Sequence, residues 1–141
     1  MMRRVDVIPP PPSLALAQAA NESAWGTSGF AREGNNFFGQ WCFEKGCGLV
    51  PGERPAGRDY EVEVFASAEE SLHAYMRNLN RHDAYSKLRS IREDLRNKGE
   101  TVTGEALAQG LGDYSAQGDE HVSLVLTLIS NNNLTRYDGS D

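Results

Sequence analysis

Leu14-Ala-Leu-Ala-Gln-Ala-Ala-Asn-Glu-Ser-Ala-Trp-Gly-Thr-Ser28 begins as a helix and ends with a charge that a helix does not favour. Four prolines, Pro9 to Pro12, cannot continue a helix from upstream, and Ser13 is a ready N-cap. Leu14, Ala17, Ala20 and Ala24 recur at helical spacing, with small alanines that permit close packing. Gly26 is placed to end the helix as its C′ residue. Glu22 falls in the last turn. The partial negative charge there disfavours a carboxylate by a few tenths to about 1 kcal/mol. That field, with burial beside Trp25, would raise the pKa and keep the proton in place. A general acid needs that state near neutral pH. From spacing alone, a solvated glutamate at a fraying helix end is the favoured reading of Glu22.

The chain has 141 residues, 39% hydrophobic and 24% charged, enough for one compact domain with a real core. The formal net charge of −6 argues against nucleic-acid binding, which needs a basic face. It also removes bulk attraction to an anionic polymer, so recognition must come from a local cleft. No run of eighteen apolar residues is present to span a membrane. Met1-Met-Arg-Arg4 is basic but lacks the apolar stretch of a signal peptide. Cys42 and Cys47 are the only cysteines. They could be half a zinc site, but no second pair exists and His73, His82 and His121 are distant in sequence. No metal or cofactor is expected.

Residues 1–13 read as a proline-rich, extended lead-in. Gly26 to Phe38 reads as a loop, with Gly34-Asn-Asn36 as a turn and Phe30, Phe37 and Phe38 as anchors. Tyr60-Glu-Val-Glu-Val-Phe65 alternates as a half-buried strand does, so Gly39 to Phe65 is expected to form a small β-lobe. Ser67-Ala-Glu-Glu70 is a capping box for a helix to Asn80 with Leu72, Tyr75, Met76 and Leu79 on one face. Asp83 is placed to cap a helix to Asn97, and Thr103 to cap a short one over Gly104 to Leu111. Asp119 starts a last helix striped by Val122, Val125, Leu126 and Ile129. The expected class is α+β, predominantly helical.

Ala17-Gln-Ala-Ala-Asn-Glu-Ser-Ala-Trp-Gly-Thr-Ser28, followed by Asn35-Asn-Phe-Phe-Gly39, resembles the signature of the glucosaminidase family of bacterial cell-wall hydrolases, glycoside hydrolase family seventy-three. Gly39-Gln-Trp-Cys-Phe-Glu-Lys-Gly-Cys-Gly48 resembles its Bax-like branch. The resemblance runs from about Val5 to about Leu134. It implies a lysozyme-like domain with a small β-lobe, one domain over residues 1–141. The implied activity is that of an endo-β-N-acetylglucosaminidase cleaving peptidoglycan or a related N-acetylglucosamine polymer. Family members are exported, so a periplasmic or cell-envelope location is implied. The missing signal segment then leads us to expect a longer precursor. In an exported protein, a local Cys42–Cys47 disulfide is preferred over two free thiols. A monomer is expected.

The resemblance assigns the catalytic acid of its Gln-Ala-Ala-x-Glu-Ser motif to Glu22. Glycoside hydrolysis commonly uses a second carboxyl group. Candidates are Glu44, Glu53, Asp59, Glu61 and Glu63. Glu61 and Glu63 share a strand face and read as solvated. Glu53, in Pro51-Gly-Glu-Arg-Pro55, falls nearest to where relatives place an acidic lobe residue. Candidate substrate-binding residues are Trp25, Asn36, Phe38, Trp41 and Tyr85. Trp41 offers a flat face to a sugar ring or covers a small lobe core. Tyr85 resembles a family tyrosine near the acid or is a core residue on a helix stripe. Two other function classes stay open. A lytic transglycosylase uses one glutamate and leaves an anhydro sugar. A non-catalytic glycan-binding module keeps the fold without turnover.

Overall fold

The computed structural model describes residues 8–52, 57, 60–112 and 118–138. In order these form α1 (Pro12–Ser23), α2 (Gly29–Gly34), β1 (Trp41–Cys42), β2 (Gly48–Leu49), β3 (Glu61–Glu63), α3 (Ala68–Arg81), α4 (Ser86–Asn97), α5 (Gly104–Ala108) and α6 (Asp119–Asn131). Single 3-10 turns at Asp83–Tyr85 and Leu134–Tyr137 precede α4 and follow α6. The class is α+β and predominantly helical, as expected. The packing divides into two compact units, Ala19–Tyr75 and the combination of Met1–Gln18 with Met76–Asp141.

In the second of these, α1 starts two residues earlier than the sequence indicates, with Pro12 at its first position. Proline suits that position, because its missing N–H would have had no helical partner. Ser13 is therefore inside the helix and does not cap it. Its backbone N–H donates to Asp138 Oδ1 at 2.7 Å and its hydroxyl donates to Asp138 Oδ2 at 2.6 Å. The carboxylate from the other end of the chain thus does the capping, in the place where the helix dipole favours negative charge. The backbone N–H of Gly104 approaches the same carboxylate at 3.4 Å.

α4, α5 and α6 pack in sequence order, α4 on α5 and α5 on α6. Gly110 has no room for a Cβ, which would strike the Leu88 backbone, so the chain after α5 presses directly on α4. His82, rather than Asp83, starts the turn before α4, with its Nδ1 accepting from the Ala84 N–H at 3.1 Å. Arg89 donates to the Leu79 and His82 carbonyls, closing the end of α3. Thr103 caps α5 as expected, accepting from the Ala106 N–H, although α5 stops at Ala108. Leu88, Leu107, Leu111, Val125 and Ile129 are buried.

Ala19–Tyr75 contains the end of α1, α2, the sheet and the start of α3. The sheet is antiparallel, in the order β1-β3-β2. Its central strand is the one the alternating stretch predicts, shortened to Glu61–Glu63. Residues 29–34, expected as loop, form α2. Ser28 caps it by accepting from the Ala31 N–H, and left-handed Asn35 ends it. Asn35 Nδ2 then donates to the Phe65 carbonyl and Phe65 N–H to the Gly34 carbonyl, tying this turn to the chain after β3. Ser67 caps α3 as expected, its hydroxyl accepting from Glu70 N–H, while Glu70 Oε2 accepts from the Ala66 N–H, one residue before the cap in place of the Ser67 N–H.

Candidate active site

Glu22 sits in the last turn of α1, partly buried. Burial disfavours its charged form and raises the carboxyl pKa above the ordinary 4.5. Among the described residues no hydrogen bond or ion pair engages this carboxylate. It is an acid held in a low-polarity setting with its oxygens uncommitted.

Gly39 forms one wall of that setting. Its φ of +67° is in the left-handed region, and a Cβ there would lie 2.6 Å from Glu22 Oε2. Only glycine permits both the turn and the approach. Asn36 builds the turn. It is 2% exposed. Its Oδ1 accepts from Gln40 N–H at 3.1 Å, and its Nδ2 donates to the Gln40 and Glu63 carbonyls at 2.9 and 2.8 Å. The amide of Asn36 is therefore spent on the backbone around Gly39. Phe38 is likewise buried, with its ring stacked on Tyr75 at 4.1 Å. Both residues, expected to touch substrate, are placed as supports beneath the site.

The end of α1 differs from expectation. The helix stops at Ser23, and Ala24, Trp25 and Gly26 all take positive φ, at 50°, 58° and 80°. Ala24, not Gly26, is the C′ residue, since Trp25 N–H donates to the Ala20 carbonyl at 2.9 Å. Left-handed conformations cost roughly 1–2 kcal/mol at each non-glycine residue. The Ser23 hydroxyl helps hold them, accepting from Gly26 N–H at 2.9 Å and donating to the Ala19 carbonyl. The turn leaves Ala24 outside the core and Trp25 61% exposed.

Trp41 is 53% exposed and stacked on Tyr60, ring centroids 4.1 Å apart. Its cross-strand partner Val62 is buried. The Cys42–Cys47 disulfide is formed, with Cα atoms 6.3 Å apart. Glu61 overturns its reading as solvated: it is 4% exposed, and its carboxylate accepts from Gly46 N–H at 3.1 Å and Gly48 N–H at 2.9 Å. Glu44 is exposed in the disulfide loop. Glu53 and Asp59 lie outside the described residues. Tyr85 belongs to the other packing unit, where it is buried with its ring edge-on to His82 at 6.2 Å. Among the described residues no group of three or more His, Cys, Asp or Glu side chains is arranged to hold a metal ion, and no helix is long and apolar enough to cross a membrane.

Glu22 is thus a partly buried, uncommitted carboxyl group on a helix end, the kind of group that can serve as one of the two carboxyls glycoside hydrolysis commonly uses. The chain belongs to the glucosaminidase family: the family model described as mannosyl-glycoprotein endo-β-N-acetylglucosaminidase matches residues 2–133. It is 37% identical over 132 residues to Protein bax of Escherichia coli (strain K12), covering 94% of this chain and 46% of that protein. The chain thus spans about half the length of that relative. The crystal structure of the catalytic domain of the autolysin Auto from Listeria monocytogenes matches with a TM-score of 0.67 at 26% identity, over 91% of this chain and 75% of that one. The fold is accordingly the lysozyme-like one of a glucosaminidase catalytic domain.

Proposed function

We propose that this chain is one glycosidase domain that cleaves β-1,4 bonds after N-acetylglucosamine, in peptidoglycan or a related N-acetylglucosamine polymer, with Glu22 as general acid. The observation that carries this reading is the Glu22 carboxyl: raised in pKa by burial, facing the bare backbone of Gly39, and uncommitted among the described residues. Membership of the glucosaminidase family and the likeness to an autolysin catalytic domain support the glycan substrate. In this reading the protein works as a monomer, outside the cytoplasm in the bacterial envelope. Exposed Trp41 and Trp25 offer faces for sugar rings, Asn36 and Phe38 shape the loop beneath, and Tyr85 takes the role of the family tyrosine. Glu53 positions or activates water; as a base it would come within ~6.5–9.5 Å of Glu22 in the bound state.

A second reading is a lytic transglycosylase, which needs one carboxyl group. It is favoured by the commitment of Glu61 to two backbone amides, which removes one candidate for the second. Digestion of peptidoglycan followed by mass spectrometry separates the two. A reducing N-acetylglucosamine end supports the hydrolase, and an anhydro sugar supports the transglycosylase. Binding without any product would leave a glycan-binding module.

A further inference from the structure

The lobe strands are two or three residues long, too short to hold their shape by pairing alone. Something must set the exposed Trp41 and the half-buried Tyr60 stacked on it. The register places Trp41 opposite Val62 and Cys42 opposite Glu61. Alternation then puts Trp41 and Tyr60 on one face and Cys42 and Glu61 on the other. The face opposite the aromatic pair is pinned twice. One pin is the Cys42–Cys47 bond. The other is the Glu61 carboxylate, which gathers the Gly46 and Gly48 amides and so joins the disulfide loop and the start of β2 to the central strand. Gly48 packs so closely that a Cβ would strike the Val62 carbonyl. A buried carboxylate bonded to backbone N–H groups is a strong, directional tie.

We infer that Glu61 is a positioning residue for carbohydrate recognition: its carboxylate sets the disulfide loop and, through the shared strand pair, the orientation of the Trp41–Tyr60 platform. This rests on the proposed role of Trp41 as a sugar-stacking surface. Glu61→Gln keeps the size of the side chain but sets an NH2 group against one of two N–H donors. The loop relaxes and the platform loses its fixed angle.

The test is a double-mutant cycle in the Glu22→Gln protein, where binding is read without cleavage. The probe is the β-1,4 tetramer of N-acetylglucosamine, followed by calorimetric titration. Trp41→Ala and Glu61→Gln should each weaken binding about tenfold, and together no more than Trp41→Ala alone, the mark of one shared interaction. In protein with Glu22 intact, Glu61→Gln should raise KM by a similar factor and leave kcat within about threefold. If Trp41→Ala binds as tightly as its parent, the platform is wrong and this role falls with it. If Trp41→Ala weakens binding but Glu61→Gln does not, or the two losses multiply, the platform stands and the inference is overturned. Should Glu61→Gln not fold, amide hydrogen exchange in the unaltered protein decides. Slow exchange at Gly46 and Gly48, slowed further by the tetramer, supports the tie. Exchange at the rate of a free loop, or exchange indifferent to the tetramer, overturns it.

Discussion

Gly39 turns its backbone toward Glu22 so closely that the carboxyl oxygen Oε2 lies 2.6 Å from where a Cβ would be. The acid is thus walled by main chain rather than by a side chain. Gly39→Ala should cost about 1–2 kcal/mol for the left-handed conformation alone. It should also push the Glu22 carboxyl out of place. We expect a lower melting temperature together with at least a tenfold loss of turnover, because small displacements of a catalytic group are costly. Calorimetry and steady-state kinetics on the same preparation check it. Full activity in Gly39→Ala would show that the contact does not matter.

Glu22→Gln should preserve the fold and lower turnover by ~10²-fold or more. The parent's stability should depend on pH in a particular direction. Burial raises the folded-state pKa above 4.5, so between the unfolded and folded values the native state holds the extra proton. The parent is then at no disadvantage below about pH 4.5 and loses stability as pH rises through the folded pKa. The neutral glutamine escapes that loss. Melting curves of the two proteins should converge in acid and separate toward neutrality, with the variant the more stable. Activity of the parent should fall on the alkaline side as Glu22 ionises. A glutamine variant less stable than the parent at neutral pH would contradict this.

Asp138→Ala removes the carboxylate that receives both the N–H and the hydroxyl of Ser13. Two charge-assisted bonds at a helix N-terminus make a loss of about 2 kcal/mol the expected outcome. For a chain of this size that is a fall of roughly 5–10 °C in Tm. Thermal unfolding by circular dichroism measures it. A change within a degree would mean that water replaces the carboxylate without loss.

Replacing Cys42 and Cys47 by serine should cost about 2 kcal/mol, since the loop they close is short. It should weaken binding of N-acetylglucosamine oligomers by no more than the roughly tenfold of Trp41→Ala, because the loop acts on binding through the strand pair that carries Trp41. Intact mass before and after reduction checks the bond in protein purified after export to an oxidising compartment. Two freely alkylated thiols would exclude it there.

Local chemistry accounts for what the sequence made legible. A helix preceded by prolines, a Ser67 cap, a Thr103 cap and a period-two strand at Glu61–Glu63 are each set by neighbours a few residues away, and each is found. The motif around Glu22 singled it out as the candidate acid, and burial raises its pKa. Boundaries were less legible. Six residues of α2 were hidden in a stretch rich in glycine and asparagine, although Ser28 and Asn35 were its available signals.

What tertiary structure alone decided are the places where distant groups compete for the same atom. Ser13 looked like a cap until Asp138, 125 residues away, supplied a better one. Glu61 looked solvated because alternation reports only which face a side chain takes, not that two amides converge there. Asn36 and Phe38 looked available for substrate, but the Gln40 and Glu63 backbone and the Tyr75 ring claim them. The sequence by itself determined the longer helices and the central strand, because propensity and periodicity act over one or two turns of chain, while the family resemblance singled out Glu22 as the candidate acid. The wall at Gly39, the exposure of Trp41 and the pinning of the lobe depend on backbone paths that meet only when the chain has folded. A residue's hydrogen-bonding capacity is written in its type, but its partner is chosen by which unsatisfied group arrives beside it.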